Sequence, residues 1–143
     1  MKSKVKKKYK IVPHIADIRL QLKADGLKHL FEVALQGMDE ILKKGFCQKK
    51  TKYSKTFEIK IYSFDTSSLL VDFLSDVLTF SHIQKAIFCK VKFTEFNEKN
   101  LTAKIKGSAV ENFDEDIKAV SYHEADIVKD KKGNYKTNII FDI

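Results

Sequence analysis

The sequence is poor in the residues that build phosphate loops, metal clusters and flexible linkers. Its 143 residues include five glycines, one proline, two cysteines and no tryptophan. Phosphate-cradling motifs such as GxxxxGK and GxGxxG are absent, as are the GxSxG, HExxH and EF-hand signatures of common enzyme and calcium sites. Because no Pro/Gly/Ser-rich linker or internal repeat divides the chain, we expect one domain, which at this length buries a core without disulfides or structural metals.

The two cysteines and the hydrophobic segments exclude further classes of protein. Cys47 and Cys89 form no CxxC pair and have no nearby histidine at zinc spacing, so we expect them to be reduced and partly buried. No apolar run approaches the ~20 residues of a membrane span, since Asp72 and Asp76 interrupt the most hydrophobic region. No apolar signal segment follows the N-terminal lysines. We therefore predict a cytoplasmic protein with no membrane partner.

The positive charge of the chain is concentrated at one end. The sequence has 27 Lys plus Arg and 19 Asp plus Glu, which gives a formal net charge of +8. Six of the lysines fall within residues 1–10, where there is no acid, so the remaining residues carry 21 basic and 19 acidic side chains. We interpret residues 1–8 as a disordered basic leader and residues 9–143 as a single, nearly neutral domain.

Two segments have the one-sided apolar period of an amphipathic helix. The first runs from Leu27 to about Lys44 and is followed by Gly45, a residue type that commonly ends helices. The second begins after the DTSS sequence at residues 65–68, which consists of good N-cap residues. Both apolar stripes indicate helices that face a hydrophobic core.

Most of the remaining sequence alternates between apolar and polar residues, as strands do. Strands are predicted at residues 9–12, 18–23, 57–61, 86–96, 101–110, 117–128 and 135–143. The turn residues at 97–100 predict a hairpin between the fourth and fifth of these strands. The order β-β-α-β-α-β-β-β-β indicates an α+β fold, with a mixed, largely antiparallel sheet and two main helices packed on one face.

Polar side chains remain at strand ends, where they are the candidates for a functional site. They are His14 and Asp17 in the PHIAD sequence, the SYH sequence at 121–123, and Asp142 in the closing IIFDI sequence. A carboxylate beside a buried apolar strand is costly unless it is paired or exposed, so Asp142 needs a partner or an exposed position. We predict no catalytic residue and no organic cofactor site.

Taken together, these motifs resemble the archease family. The resemblance rests on PHIADI at 13–18, Leu30-Phe31 in the first helix, IKAVSYH at 117–123 and the closing FDI, in that order along nearly the whole chain. It implies a small α+β protein that is not an enzyme but a cofactor of the GTP-dependent tRNA-splicing RNA ligase of the RtcB type. It further implies that the protein promotes guanylylation and multiple turnover of this ligase, and that RNA is reached indirectly, through the ligase.

The resemblance also implies a divalent metal site formed by Asp17, Asp142 and Ile143, the last through its main-chain or terminal oxygens. Oxygen ligands of this kind suit Ca²⁺, Mg²⁺ or Mn²⁺. Two residues depart from the family pattern, Ile15 at a common threonine and Arg19 at a common small residue. Because Arg19 projects from the same strand face as Asp17, we expect that it can pair with this carboxylate and compete with a metal.

Two other functions are compatible with the residues. A small basic RNA-binding module would use the leader and exposed lysines, and its affinity for RNA would fall steeply with salt. A metal-dependent hydrolase would use the same carboxylates, with His14 or His123 as its base. The leading hypothesis is the ligase cofactor, acting in tRNA splicing or RNA repair.

Overall fold

The computed structural model describes residues 16–49 and 52–143. The elements along the chain are β1 (Asp17–Ala24), α1 (Leu27–Leu42), α2 (Phe46–Lys49), β2 (Lys55–Tyr62), α3 (Thr66–Gln84), β3 (Ala86–Phe96), β4 (Asn100–Ala109), β5 (Ala119–Ser121), β6 (Val128–Lys129) and β7 (Tyr135–Asp142). Both predicted helices are confirmed. The leader at 1–8, the strand expected at 9–12 and His14 lie outside the described residues.

The strands form two antiparallel sheets. In the first sheet β7 pairs with β1 along its length and with β5 and β6 at its two ends. In the second sheet β4 lies between β2 and β3, and β3 and β4 form the predicted hairpin. The α+β class is therefore confirmed, with the strands divided between two sheets instead of one.

The two long helices join these sheets. α1 contacts β1, β7 and β3, while α3 contacts β2, β3, β4 and β5, so each helix touches strands of both sheets. Phe31 of α1 and Phe73 of α3 are fully buried, with ring centroids 5.8 Å apart. Burial of a side chain of this size contributes about 1.5–3 kcal/mol, which makes this contact a main source of core stability. No helix in the described part of the chain has both the length and the apolar character needed to cross a bilayer.

Two residues that the sequence singles out lie at the ends of helices. Asp65 is extended, and its side chain accepts a hydrogen bond from Ser68 N at 2.7 Å, which caps α3. Gly45 has a φ of 75°, a left-handed conformation that lets the chain turn from α1 into α2. The sequence pattern does not predict α2, because four residues are too few for a periodic signal.

Cys47 in α2 and Cys89 in β3 form a disulfide, with their Cα atoms 5.5 Å apart. The expectation of reduced cysteines is therefore wrong. The two residues are separated by 42 positions in the sequence, and they meet because α2 packs against β3. This contact depends on the tertiary fold, so the spacing of the cysteines carried no sign of it.

The continuous strand expected over residues 117–128 is also wrong. The structure has the short strands β5 and β6 there, with an irregular segment between them. Within that segment Ala125 N donates a hydrogen bond to Tyr122 O at 3.3 Å, and Glu124 has a φ of 60°. A left-handed residue cannot continue a strand, so the alternation of apolar residues is interrupted by a turn.

A close approach between β3 and β4 accounts for the glycine at position 107. The pairing shifts register between Ile87 and Lys90, so two residues of β3 lie opposite Gly107. A Cβ atom at this position would lie 2.2 Å from Ile87 O and 2.8 Å from Phe88 Cα. Both contacts involve backbone atoms, which cannot rotate away as a side chain can.

We expect Gly107→Ala to lower the free energy of unfolding by about 3 kcal/mol or more, because the strands must separate to admit a methyl group. Urea denaturation followed by circular dichroism measures this loss. Gly26→Ala is the control, since a Cβ atom there meets nothing within 4 Å. Its expected cost is about 1 kcal/mol, that of a poorer N-cap residue. Equal losses in the two variants would contradict the proposed strand contact.

Candidate functional site

The pairing of β1 with β7 places two of the predicted metal ligands opposite each other. In the antiparallel register, Asp17 faces Asp142. Ile143 N donates a hydrogen bond to Ala16 O at 3.1 Å. The Asp17–Asp142 pair is therefore of the non-hydrogen-bonded kind, in which facing side chains come closest, with Cβ atoms roughly 4.5–5.5 Å apart. The two carboxylates are thus neighbours on one face of the sheet.

In the described part of the chain, no basic side chain balances the charges of this carboxylate pair. Both side chains are exposed, and within residues 16–49 and 52–143 no Lys, Arg or His forms an ion pair with either of them. Like charges directly opposite each other in a sheet are destabilising. A divalent cation would remove this repulsion, and carboxylate oxygens are the ligands that Ca²⁺, Mg²⁺ and Mn²⁺ prefer. The carboxylates of Asp17 and Asp142 are therefore suitable ligands for the predicted divalent cation.

The third predicted ligand, Ile143, lies at the same end of the first sheet. Its N–H is bonded to Ala16, and the carbonyl of the preceding Asp142 accepts a hydrogen bond from Lys118 N at 2.7 Å. These two hydrogen bonds hold residues 142 and 143 between β1 on one side and the segment that leads into β5 on the other. The three residues predicted from the sequence are thus brought together at one end of the first sheet.

Arg19 pairs with Glu124 rather than with Asp17. Its Nη2 atom lies 3.1 Å from Glu124 Oε2, and the two side chains are 53% and 37% exposed. An ion pair this exposed contributes little to stability. The ion pair nevertheless holds the guanidinium of Arg19 at Glu124. The structure therefore does not show the expected competition between Arg19 and a metal at Asp17.

The histidines expected as bases of a hydrolase receive no support. His14 lies outside the described residues. The Nε2 atom of His123 is 3.5 Å from Glu124 Oε2, on a side chain that is 76% exposed.

Comparisons with known proteins identify the family of this chain. The model of the Archease protein family (MTH1598/TM1083) matches residues 9–143. The chain belongs to the archease family. Proteins named archease from Methanosarcina acetivorans and Methanosarcina barkeri are 31% and 30% identical to it over 145 residues, covering 96% of this chain and 97% of theirs. An archease from Pyrococcus abyssi is 30% identical over 146 residues, with 96% and 99% covered.

Solved structures of similar proteins have the same fold as this archease family member. The solution structure of protein 1598 of Methanobacterium thermoautotrophicum superimposes with a TM-score of 0.71 at 25% identity, covering 92% of this chain and 96% of that one. The crystal structure of an archease from Thermotoga maritima, described as a possible chaperone, gives a TM-score of 0.62 at 22% identity, with 96% and 99% covered. The second likeness shows the fold alone.

A second surface of this family member, which we call the aromatic surface, was not predicted from the sequence. Tyr62, Phe64 and Tyr122 are 73%, 75% and 61% exposed. Together with Ser63 and Asp72 they line a cavity of about 510 Å³. Tyr122 reaches this cavity from a position 50 residues after Asp72. The sequence singled out Tyr122 within the SYH motif, but no local pattern indicated its tertiary contact with Asp72 or the surface that they form.

Asp72 gives the aromatic surface a negative charge. Its carboxylate accepts hydrogen bonds from Ser63 Oγ at 2.5 Å and from the hydroxyl of Tyr122. The bond to Asp72 raises the pKa of the Tyr122 hydroxyl. Burial and, second, the charge of Asp72 raise the pKa of Asp76, one helical turn further along α3. Exposed rings beside a carboxylate are suited to a cationic side chain of a partner protein.

A third surface, the lysine face, is the outer side of the second sheet. Lys90 lies opposite Lys106, and Lys92 lies opposite Lys104, in the pairing of β3 with β4. All four are exposed, and none forms an ion pair with an acid in the part of the chain that the structure describes. Facing like charges lower the stability of a sheet, so this arrangement favours an anionic partner.

Removing one carboxylate tests whether the Asp17–Asp142 pair is repulsive and binds a cation. In the presence of a chelator, Asp17→Asn should raise the free energy of unfolding by about 0.2–1 kcal/mol, because the facing charges no longer repel each other. In excess Ca²⁺ the wild type should become more stable than Asp17→Asn, since a ligand stabilises only the protein that binds it. Thermal denaturation with and without Ca²⁺ measures both effects.

The matched control is Asp126→Asn, which removes an exposed carboxylate from outside the pair. This variant should keep the response of the wild type to Ca²⁺, because Asp126 lies near the other end of the first sheet, beside Lys136. If Asp17→Asn gains as much stability from Ca²⁺ as the wild type does, the carboxylate pair does not hold the ion.

Proposed function

We propose that this archease family member is a noncatalytic protein cofactor of a GTP-dependent RNA ligase of the RtcB type, acting in the cytoplasm in tRNA splicing or RNA repair. The observation that carries the proposal is the carboxylate pair, Asp17 opposite Asp142, exposed at one end of the first sheet. Membership of the archease family supports the same role. RNA would be contacted through the ligase.

In this proposal the chain's own residues hold a divalent ion and present it to the ligase. Asp17 and Asp142 bind it with their carboxylates, and Ile143 adds its main-chain oxygen. The ion supplies positive charge at an exposed surface, where a partner enzyme that handles nucleotide phosphates can use it. Ca²⁺, Mg²⁺ and Mn²⁺ all suit such ligands, and water molecules would complete the coordination.

The aromatic surface supports a protein partner. Three large exposed rings around one carboxylate are unusual on a surface that contacts only water, and aromatic residues are enriched at the centres of protein interfaces. Tyr122 also follows β5, the strand whose first residue, Ala119, pairs with Asp142. The aromatic surface and the carboxylate pair are therefore connected through one strand, and one partner can contact both.

The proposal predicts that the wild-type protein increases multiple-turnover ligation and GTP-dependent labelling of an RtcB-type ligase. Asp17→Asn and Asp142→Asn should each reduce this stimulation at least tenfold, because either change removes a ligand of the ion. The assay measures ligated RNA and labelled ligase over time, with sub-stoichiometric ligase and added Mg²⁺, Mn²⁺ or Ca²⁺.

Asp126→Asn is again the control, and it should stimulate as the wild type does. If the wild type gives no stimulation with any of the three ions, the ligase role is wrong. If the wild type and both pair variants stimulate equally, the ligase role stands and the metal role is wrong.

The lysine face favours a second candidate function, direct binding of RNA. One acid, Glu58, lies opposite Lys104 in the pairing of β2 with β4, so the lysine face keeps an excess of positive charge. On binding, its lysines would replace the counterions condensed on the phosphate backbone of RNA. In this version the lysine face acts in addition to the basic leader at residues 1–8, which lies outside the described residues. Base stacking is not required, because contacts to phosphate carry no sequence information.

We expect the double variant Lys104→Ser/Lys106→Ser to weaken RNA binding and to lower the slope of log affinity against log salt by about 1.5, close to one unit for each lost phosphate contact. Fluorescence anisotropy at several salt concentrations measures this slope. Lys23→Ser/Lys136→Ser removes the same charge from a facing pair in the first sheet and should change the slope less, because that pair lies beside Asp130, whose pKa is lowered in part by both lysines. Equal slopes for the two double variants would contradict a specific role for the lysine face.

A further inference from the structure

A buried acid, which is not part of the carboxylate pair, lies against the disulfide. Asp39 of α1, Cys47 of α2 and Cys89 of β3 bring a carboxylate oxygen and two sulfur atoms within 4.8 Å of one another. Asp39 Oδ2 is 3.7 Å from Cys47 Sγ. This is the one group of three or more such side chains that converges in the described residues.

Among residues 16–49 and 52–143, Asp39 has no partner that stabilises a negative charge. The residue is 3% exposed, and its Oδ1 atom has no hydrogen-bond partner in the part of the chain that the structure describes. A sulfur atom in a disulfide carries no proton to donate, so the contact with Cys47 does not compensate the carboxylate either. Burying an unpaired carboxylate costs several kcal/mol, and such a group keeps its proton instead. Burial accordingly raises the pKa of Asp39 well above its ordinary value.

The two cysteines are more exposed than the acid. Cys47 and Cys89 are both partly exposed, whereas Asp39 is buried. A small thiol or an exposed thiol of another protein can therefore approach the disulfide from solvent while Asp39 remains on the core side. The arrangement joins an accessible disulfide to an internal proton donor.

We propose that Cys47–Cys89 is a thiol–disulfide exchange site, reduced by a dithiol, in which Asp39 transfers a proton to the sulfur of Cys47. A disulfide that served only to tie α2 to β3 would need no acid beside it. An apolar residue of similar size would fill the position of Asp39 without the cost of burying a polar group. The unpartnered carboxyl is therefore explained by chemistry at the sulfur.

The first step breaks the protein disulfide. One thiol of the dithiol, as its thiolate, attacks Cys89 Sγ and forms a mixed disulfide, while the bond between Cys47 and Cys89 breaks. The electron pair of that bond passes to Cys47 Sγ. This sulfur is the leaving group because it lies next to Asp39, whose proton it takes.

The second step releases the reductant. Its second thiol attacks the mixed disulfide, Cys89 leaves as a thiolate, and the reductant departs as a disulfide. The dithiol gives up two protons, of which one restores the proton that Asp39 gave to Cys47 and the other protonates Cys89. Two electrons and two protons are thus transferred from the dithiol to the two cysteines, and the reverse steps restore the disulfide.

The test measures the rate at which dithiothreitol reduces the oxidised full-length protein, followed by trapping of free thiols with a maleimide and mass spectrometry. Asp39→Asn should slow reduction at least tenfold, because an amide fills the same space but has no proton to transfer at neutral pH. Asp39→Leu should slow it to a similar extent while raising the thermal stability of the oxidised protein. The two variants keep the test valid if one of them folds poorly.

Ser81→Ala is the matched control. Ser81 is also fully buried, and its Oγ atom likewise has no hydrogen-bond partner among the described residues. Its loss should leave the reduction rate within about twofold of the wild type. Reduction of both Asp39 variants at the wild-type rate would overturn the proposal and leave the disulfide a structural link. Reduced wild type that binds one equivalent of Zn²⁺ and no longer reacts with oxidised dithiol would overturn it in favour of a metal site.

Discussion

The pairing of β7 with β1 constrains both the core and the exposed end of the first sheet. β7 supplies Phe141, which is fully buried, and next to it Asp142, which is exposed. Because strand side chains alternate between faces, a slip of one residue would bring Phe141 to the surface and Asp142 into the core. Either change costs several kcal/mol, a large part of the stability of a domain. Core packing therefore fixes the position of Asp142 opposite Asp17.

The elements that form from local patterns could be predicted, and their partners could not. α1 and α3 are predicted because apolar residues recur at helical spacing, and the β3–β4 hairpin because turn residues separate two alternating runs. The division into two sheets depends instead on which distant strands pair, as β1 and β7 do from opposite ends of the described chain. The disulfide could not be predicted either, because it also depends on a contact between distant residues. The prediction of one continuous strand over 117–128 failed because Glu124 adopts a left-handed conformation.

The candidate site was predicted in its residues but not in its geometry. Motif resemblance singled out Asp17, Asp142 and Ile143, and the register then showed that the two carboxylates face each other. The engagement of Arg19 with Glu124 could not be inferred, because Glu124 is 105 residues away in the sequence. The aromatic surface and the lysine face were missed for a related reason. Single exposed tyrosines or lysines are ordinary in a sequence, and only their convergence in the fold makes them informative.

Three features of this molecule lower its stability without serving the fold: the facing carboxylates, the facing lysines and the buried acid of α1. The first two repel in water, where the cost is small and salt reduces it. Asp39 is different, because it is a buried polar group whose Oδ1 atom has no hydrogen-bond partner among the described residues. The apolar core around Phe31 and Phe73 must offset the cost of burying it. A domain can therefore carry facing carboxylates, facing lysines and a buried acid together, as long as its core offsets their combined cost.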